Sequence, residues 1–410
     1  MYISEEYKDY IKENTSLLER LRRYCDFSDR QKGLIKTICP LPDHDETEGS
    51  LVYYYNDDTA TCYGCNTYLG DAIDLIREME GLNFNEAVIE LAKQEGLKMP
   101  SGDMEKQYRK ENKIKQKIKK VTNIFHDELF KKPDILNYLT ERRGLTQKMI
   151  KTFKLGFCKY NKKEKFSKLS NRIIIPIRNK RGQPVGFGGR ILPKNEGKYP
   201  AYINSSSEDF SFFRKKELVF NFDKALKHIK KNNFVIWVEG FFDVITLYQY
   251  GVKNVVASMG TSITEEQIKK VRRYTNNVLL FLDPDEAGDR TVKKTINVFE
   301  KYHYNIEIVD NKTDRDPAEL AVYKKEKIQD FINKNSKPFE DYFTSRILEN
   351  YNTTISRAKR KTIQQLAEVF KERIDNVEVD IALSSAANTL KISSQALKKK
   401  IRKELEYESN

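Results

Sequence analysis

The chain has 410 residues, 33% of them charged and 39% hydrophobic, so it is polar yet long enough for roughly two to four domains. Its net charge of +14 favours a polyanionic partner, most simply nucleic acid, although a Lys-rich proteome would give the same balance. No apolar run reaches the length of about 18 residues that a membrane span needs, and the charged N-terminus is unlike a secretory signal. Five cysteines, an odd number, suit thiols or metal ligands better than disulfides. We therefore expect a cytoplasmic protein without membrane contact.

The first predicted element is a small metal-binding unit. Residues 51–55 and 59–61 have the pattern of two short strands, joined by a turn at 56–58. Thiol and imidazole side chains flank this hairpin at spacings that suit a tetrahedral structural zinc ion. The candidate ligands are Cys39, His44, Cys62 and Cys65, with Cys25 as an alternative to His44. Two helical patterns, at 70–80 and 83–92, follow the hairpin and are expected to pack on it.

A basic region follows the metal-binding unit. Residues 106–120 contain eight basic residues and one acidic residue, which predicts a linker or a solvated helix. A helix that begins at Asp134 is expected to end at Gly144, and strands are predicted at 171–178 and 184–190. Cationic side chains recur beside these turns, where they would bind nucleic acid and a triphosphate, or simply form a charged surface. They are Arg143, Arg172, Arg190, Lys198, Lys215 and Lys216.

The segment from 234 to 285 carries the strongest signal for chemistry. Three apolar runs alternate with helical patterns, which predicts parallel strands of an α/β sheet. Glu239 follows the first run, and Asp283 and Asp285 follow the third. Because the carboxyl ends of parallel strands carry the site in such sheets, these acids are expected to converge and to bind Mg²⁺ or Mn²⁺. A single aspartate at such a position could instead cap the following helix.

The remaining residues have helical patterns, beginning at 341–348 and continuing through 356–377 and 379–406. The predicted fold class is therefore multidomain α+β and α/β. It comprises an N-terminal zinc-ribbon-like domain, a central basic α/β subdomain with a parallel sheet, and a helical C-terminal region.

The order of these parts resembles the bacterial-type, DnaG-like DNA primases, whose catalytic module is a TOPRIM domain. The resemblance covers roughly residues 30 to 345 and depends on the joint order of three motifs, each moderately specific alone. The motifs are Glu239-Gly-Phe-Phe-Asp243-Val, Ala257-Ser-Met-Gly-Thr261 and Asp283-Pro-Asp285-Glu-Ala-Gly288. Supporting matches are Tyr138-Leu-Thr-Glu-Arg-Arg-Gly-Leu, Asn171-Arg-Ile-Ile-Ile-Pro-Ile and Gly186-Phe-Gly-Gly-Arg190.

The resemblance implies a division of the chain into five parts. These are a CHC2-type zinc-binding domain (1–100), a basic linker (101–121), the N-terminal subdomain of the polymerase core (122–230), a TOPRIM domain (231–318) and a helical region (319–410). The last part is shorter than the family's helicase-binding domain, so we expect that domain to be incomplete. The chain is then either a phage or mobile-element version or one that contacts a helicase by another surface. A monomer is expected, with a replicative helicase as partner.

The resemblance also implies an activity and assigns site residues. The activity is DNA-directed synthesis of short RNA primers on single-stranded DNA from ribonucleoside triphosphates. Glu239, Asp283 and Asp285 would hold the catalytic Mg²⁺ or Mn²⁺, with Asp243 beside them and Asp316 as the first acid of a late motif. The family's nucleic-acid and nucleotide-binding positions correspond to Arg143, Arg190, Lys198, Tyr199 and Lys215.

Two departures from the family pattern bear on the metal sites. Four residues separate Cys39 from His44, two more than usual, so we infer an insertion with His44 retained; Asp43 or Cys25 is the alternative ligand. In the late motif Ala318 replaces the second acid, and Glu319 or Asp314 could compensate. The rival functions are another TOPRIM enzyme, such as a topoisomerase or nuclease, and a zinc- and TOPRIM-containing recombination mediator.

Overall fold

The computed structural model describes residues 3–26, 30–31, 34–42, 44, 46–99, 102–159, 166–210, 213–259, 263–283, 295–349, 351, 358–370 and 377–408. Helices and strands are numbered below in chain order. In the described part, no helix combines the length and the apolar character needed to cross a membrane.

The N-terminal unit is an antiparallel sheet flanked by helices. Its strands, in spatial as well as chain order, are β1 (Arg30–Gln31), β2 (Leu34–Thr37), β3 (Leu51–Tyr54), β4 (Thr59–Cys62) and β5 (Thr67–Leu69). Its helices are α1 (Glu5–Glu13), α2 (Leu17–Leu21), α3 (Ala72–Glu80) and α4 (Phe84–Gln94). The predicted hairpin and both predicted helices are thus present.

Short polar side chains determine where these elements begin. Asp58, in the β3–β4 turn, accepts hydrogen bonds from the Leu17 and Leu18 amides and so ties the start of α2 to the hairpin. Asp71 caps α3 by accepting from the Asp74 amide, and Asn83 and Glu86 form a capping box at the start of α4. The turn and cap residues therefore determine where the helices begin, and two small apolar clusters pack those helices together and against the sheet.

The basic region is a helix rather than an extended linker. It forms the first part of α5 (Gly102–Phe130), a single helix of 29 residues. Further along α5, Ile118, Phe125 and Leu129 are buried against the next sheet. The remaining elements of this subdomain are α6 (Pro133–Asn137), α7 (Gln147–Phe153), β6 (Gly156–Cys158), β7 (Arg172–Arg178), β8 (Pro184–Ile191) and β9 (Tyr202–Asn204). The four strands form one antiparallel sheet in chain order.

A six-stranded sheet forms the centre of the molecule. Its strands, in spatial order, are β10 (Val219–Phe220), β12 (Val255–Ser258), β11 (Val235–Val238), β13 (Asn277–Leu280), β14 (Asn305–Val309) and β15 (Ser336–Pro338). The four middle strands are parallel, whereas each edge strand pairs antiparallel. The flanking helices are α8 (Phe222–Asn232), α9 (Phe241–Gln249), α10 (Glu265–Arg272) and α11 (Pro317–Lys324), with a further helical stretch at 295–301.

Alternate residues of β11 enter two different cores. Ile236 and Val238 face a core shared with α9, α5 and the antiparallel sheet, whereas Val235 and Trp237 face a second core. The second core is closed by the C-terminal helices α13 (Phe339–Glu349), α14 (Ala358–Phe370), α15 (Val377–Leu390) and α16 (Ser394–Glu408). Helix α12 (Ile328–Asn335) instead buries Ile328 and Ile332 in the first core. A sheet covered on both faces explains why its strands are uninterrupted apolar runs.

The C-terminal helices differ in one respect from the sequence pattern. The helical pattern at 379–406 is divided between α15 and α16. The break occurs at Lys391, whose φ of 51° is left-handed and cannot continue a helix. Ser393 then begins α16 by accepting a hydrogen bond from the Ala396 amide.

The N-terminal unit contacts the rest of the chain through charged groups. Glu78 and Glu80 of α3 form ion pairs with Lys180 (3.0 Å) and Arg181 (2.7 Å) in the β7–β8 turn. Gly81, with φ of 55°, ends α3, and a Cβ atom there would lie 2.4 Å from the Arg181 side chain. The left-handed turn at Gly81 and the Arg181 side chain packed against it thus favour a residue without a side chain here.

Candidate active site and zinc site

The predicted zinc ligands come together. One ligand atom each from Cys39, His44, Cys62 and Cys65 lies within 4.8 Å of the others, and the Cys62 sulfur is 3.4 Å from His44 Nδ1. Tetrahedral zinc with bond lengths of about 2.0 to 2.3 Å requires ligand separations of this size. Strands β3 and β4 create the site, because their pairing places Cys62 opposite Leu51 and next to the loop that bears His44. The donor set and its geometry fit a structural zinc ion.

The alternative ligand Cys25 is separate from this group. The Cys25 sulfur lies 3.5 Å from the Ile38 carbonyl, and burial raises the pKa of its thiol to about 11. Asp43 lies outside the described residues. The described part of the chain therefore favours His44 as the fourth ligand.

A carboxylate that was not among the predicted site residues contacts the zinc ligands. Glu46 lies 3.2 Å from His44 Nε2 and accepts hydrogen bonds from the Cys39 amide (2.7 Å) and the Ser50 amide (3.0 Å). The Ser50 hydroxyl in turn lies 3.1 Å from the Cys62 sulfur. A carboxylate on the second ring nitrogen fixes the orientation of a ligating histidine, so Glu46 holds His44 and the Cys39 backbone in place.

The thiols of Cys39 and Cys65 differ in how readily they lose a proton. A hydrogen bond from Cys39 lowers the pKa of Cys65 to about 5, despite the opposing effect of burial. The same hydrogen bond, together with burial, raises the pKa of Cys39. Thiolate is the form that binds zinc. Cys65 therefore favours the binding form, and the proton that Cys39 shares with it would be released when the ion binds.

The predicted catalytic acids lie at the carboxyl edge of the parallel sheet. Glu239 directly follows β11, and Asp283 follows β13, which pairs with β11 in parallel. Asp285 and the later residues of its motif lie outside the described residues. Among those that are described, no three carboxylates converge as closely as the zinc ligands do. The two described acids nevertheless share one edge, as the strand pattern predicted.

Asp243 is the buried member of this acidic group. It is 8% exposed and accepts hydrogen bonds from the Gly240 amide (2.8 Å) and the Ala318 amide (3.3 Å), so it bridges the starts of α9 and α11. Burial, together with the nearby charges of Asp316 and Asp283, raises the pKa of Asp243 to about 7. Mutual repulsion of this kind is relieved by a bound cation.

The late acidic motif forms the start of α11. Asp316 caps the helix by accepting from the Glu319 amide at 2.7 Å, and Ala318 is buried.

Arg143 lies near this helix start. Burial alone would lower the pKa of Arg143, but the Tyr138 hydroxyl and the Asp316 charge raise it overall. Its guanidinium donates to the Tyr138 hydroxyl at 2.9 Å, which orients a cation beside the acids.

An open cleft of 610 Å³ extends from Asp283 along the sheet edge. Asp314, Asp316 and Glu319 line it, so the two residues proposed to compensate for Ala318 face the same space as Asp283. The other wall of the cleft was not predicted from the sequence. It is formed by Asn311, Lys312, Thr313, Arg346 and Glu349. Strand β14 gave only a weak signal for this wall, because the polar Glu307 separates Ile306 from Ile308.

The predicted nucleic-acid residues fall into two groups. Lys198, Tyr199 and Lys215 are exposed, and Tyr199 has 61% of its surface accessible. Arg190 is half-buried, pairs with Glu196 and stacks its guanidinium 4.9 Å from the Tyr202 ring. These side chains form the candidate binding surface.

Arg172 does not belong with them. It is 3% exposed and donates to the backbone carbonyls of Gly189 (3.2 Å) and Pro200 (2.9 Å). Its position at the start of β7 points it into the sheet, so we correct its role from a nucleic-acid contact to a structural cation.

A first prediction concerns zinc retention. A Cβ atom at Gly64 would lie 2.5 Å from His44 Cε1 and 2.6 Å from the Ser50 hydroxyl. Gly64→Ala should therefore displace the histidine and make zinc dissociate about tenfold faster or more, measured with a chromogenic chelator. Lys93→Ala, on the exposed face of α4 in the same unit, is the control. Equal zinc release from both variants would contradict this account of His44.

A second prediction concerns Asp243 and pH. Its pKa is raised to about 7, so the folded protein holds the proton more tightly than the unfolded chain. Without added Mg²⁺, the stability that this group contributes should be present below about pH 4 and lost as the pH rises to about 7. Asp243→Asn cannot ionise, so its thermal midpoint should fall less than that of the wild type between pH 5 and 8. Identical pH profiles would show that burial of this carboxyl is not destabilising.

Three protein families match consecutive parts of the chain. The CHC2 zinc finger matches residues 3–107, the N-terminal domain of the DNA primase catalytic core matches 159–226, and a Toprim-like family matches 236–321. The matches follow the order of parts expected from the sequence motifs.

Individual relatives agree with these matches. The DNA primase of Rickettsia felis is 33% identical over 327 residues, which are 73% of this chain and 53% of that protein. The DNA primase of Enterococcus faecalis is 28% identical over 439 residues, covering 92% of this chain and 69% of that protein. The chain thus spans about half the length of the first relative and somewhat more of the second.

A solved structure covers nearly the whole chain. The zinc-binding and RNA polymerase domains of the Aquifex aeolicus primase align with a TM-score of 0.57 and 25% identity, covering 96% of this chain and 99% of that one. A zinc ribbon, a catalytic core and a Toprim sheet in this order are the architecture of the DnaG-type primases, and the chain belongs to that family.

Proposed function

We propose that this chain is a DNA primase that synthesises short RNA primers on single-stranded DNA from ribonucleoside triphosphates. The observation that carries the proposal is that Glu239 and Asp283 lie at the carboxyl edge of a Toprim-like sheet that follows a primase catalytic core. A rival Toprim enzyme, such as a topoisomerase or nuclease, would act on DNA phosphodiesters and make no RNA. We place the reaction in the cytoplasm, with a replicative helicase as a partner.

The reaction is a nucleotidyl transfer. The 3′-hydroxyl of one ribonucleotide attacks the α-phosphate of the next, a new phosphodiester bond forms, and pyrophosphate leaves with the bonding electrons. Mg²⁺ or Mn²⁺, when bound, would lower the pKa of the attacking hydroxyl and neutralise the phosphoryl charge. Carboxylate oxygens are the ligands such ions prefer, and we assign Glu239, Asp283, Asp285 and Asp316 to hold them.

The chain's own groups have distinct tasks in this scheme. Asp243 holds the starts of α9 and α11 together, which keeps Asp316 at a constant distance from the strand ends. Arg143, oriented by Tyr138, is placed to bind the triphosphate or the primer phosphate beside the acids. Arg190, Lys198, Tyr199 and Lys215 would contact the template backbone and bases. The N-terminal unit (β1–β5 with α1–α4), called the zinc unit below, would select the initiation site and take no part in the catalytic metal chemistry.

A third prediction tests the carboxyl-edge acids. Asp283→Ala should fold normally and lower RNA synthesis on a single-stranded template with Mg²⁺ by about a hundredfold or more, because charge stabilisation in the transition state is lost. Asp330→Ala removes an exposed acid of α12 and should leave synthesis unchanged. Gel analysis of labelled RNA measures both. RNA synthesis by Asp283→Ala at the wild-type rate would contradict the role of Asp283. DNA cleavage or relaxation without any RNA product would contradict the primase assignment.

A fourth prediction concerns the residue that compensates for Ala318. Glu319 is exposed and lines the same cleft as Asp283, so Glu319→Gln should raise the Mg²⁺ concentration for half-maximal synthesis several-fold. Asp314→Asn, in the same cleft, gives the comparison. A shift with one variant identifies the compensating acid, whereas unchanged Mg²⁺ dependence of both would mean that the site works without a replacement.

A further inference from the structure

A second cleft, of 780 Å³, lies between the zinc unit and α8, away from the acids. One wall is formed by zinc-unit residues, including His44 and Cys65. The other wall is strongly basic, since five of its side chains are cations and Asp223 is the acid among them. The cations are Lys224, Lys227, Lys230, Lys231 and Arg273. Neither the primase motifs nor the catalytic scheme uses these residues.

Helix α8 presents its lysines rigidly. Phe222, Ala225, Leu226 and Ile229 form its buried face, so the opposite face is fixed towards the cleft. Lys227 and Lys231 are both exposed and lie one helical turn apart. The spacing along the helix therefore creates a row of cations rather than a single charged point.

The lysines act together on a neighbouring group of the same helix. Burial lowers the pKa of His228, and the charges of Lys227, Lys253 and Lys231 lower it further. Asp223 forms an ion pair with Lys224 at 2.7 Å, so it does little to neutralise the rest of the row. Repulsion among like charges on a fixed helix is relieved by a polyanion with several phosphates.

The same cleft contains aromatic rings. Tyr274 has the ammonium groups of Lys180 and Lys230 each 5.3 Å from its ring centroid, and Tyr248 lines the cleft as well. These contacts hold the ammonium groups at the wall of the cleft, and cations arranged along a backbone are a feature of surfaces that bind single strands. The charge also continues beyond the cleft to Lys253, which argues for an extended ligand over a single nucleotide.

We propose that this cleft binds the phosphate backbone of a single nucleic-acid strand. The identification of that strand as the template rests on the proposed primase function; the binding itself does not. The cleft lies at the amino edge of the parallel sheet, because its residues come from just before β11 and from the ends of α9 and α10. Glu239 and Asp283 lie at the opposite edge, so strand binding here is separate from the chemistry.

The test is strand binding by the full, zinc-loaded chain without nucleotides. The variant Lys227→Gln/Lys230→Gln/Lys231→Gln should bind labelled oligothymidylate at least about tenfold more weakly at 0.1 M salt, by fluorescence anisotropy. Its slope of log K against log salt should fall by about 2, as expected for three lost phosphate contacts on a single strand. The control is Lys399→Gln/Lys400→Gln/Lys403→Gln, which removes the same charge from the exposed face of α16.

Each outcome decides the proposal. A loss confined to the α8 variant, with unchanged zinc content and thermal midpoint, supports it. Equal affinity of the two variants overturns it, because the net charge alone would then account for binding. Weaker binding of a labelled nucleoside triphosphate, with unchanged oligothymidylate affinity, would overturn it in favour of a small phosphate ligand. Because no RNA synthesis is measured, the proposal can fail or hold independently of the primase assignment.

Discussion

The parallel pairing of β11 with β12 and β13 is the constraint on which the rest of the molecule depends. All four residues of β11 are fully buried, at roughly 1.5 to 3 kcal/mol for each large apolar side chain removed from water. The register of β13 against β11 determines which residues leave the sheet together at its carboxyl edge. The same pairing directs the ends of α8, α9 and α10 to the amino edge, where the zinc unit packs. The same strand contacts thus place the acidic cleft and the basic cleft at opposite edges of the sheet.

Much of this arrangement could be predicted from local sequence. The uninterrupted apolar runs of β11, β12 and β13 are typical of strands covered on both faces, and the hairpin between Cys39 and Cys65 follows from its turn residues. The acids were found because parallel strands must end at one edge. Both inferences depend on rules of chain geometry that act over a few residues, which is why the described residues agree with them.

Other parts of the site depend on contacts that a local pattern does not contain. Strand β14 alternates buried and exposed residues, and β15 has only three residues, so neither forms an apolar run. The cleft wall that follows β14 was missed for this reason. Arg172 has the same residue type as the surface cations, and only the pairing of β7 with β8 and the path of the chain at Pro200 show that it is buried. Asp243 likewise depends on α11, which is 75 residues away along the chain.

The acidic edge illustrates a conflict between stability and chemistry. A folded protein alone would be more stable with a neutral group at Asp243, where burial and neighbouring charges oppose ionisation. The hydrogen bonds from Gly240 and Ala318 retain the carboxyl in place and join two helix starts. Ala318 contributes only its backbone amide to this arrangement, so the loss of an acid at that position leaves the local framework intact.

The ion pairs between α3 and the β7–β8 turn have a consequence for the behaviour of the whole chain. Glu78, Glu80, Lys180 and Arg181 are all partly accessible to solvent, and charges in such positions are screened over about 8 Å at physiological ionic strength. Contacts between a basic surface and a phosphate backbone weaken under the same conditions. Rising ionic strength therefore weakens the attachment of the zinc unit and, if the proposed nucleic-acid binding holds, the phosphate contacts as well, so one property of the surrounding solution would control both.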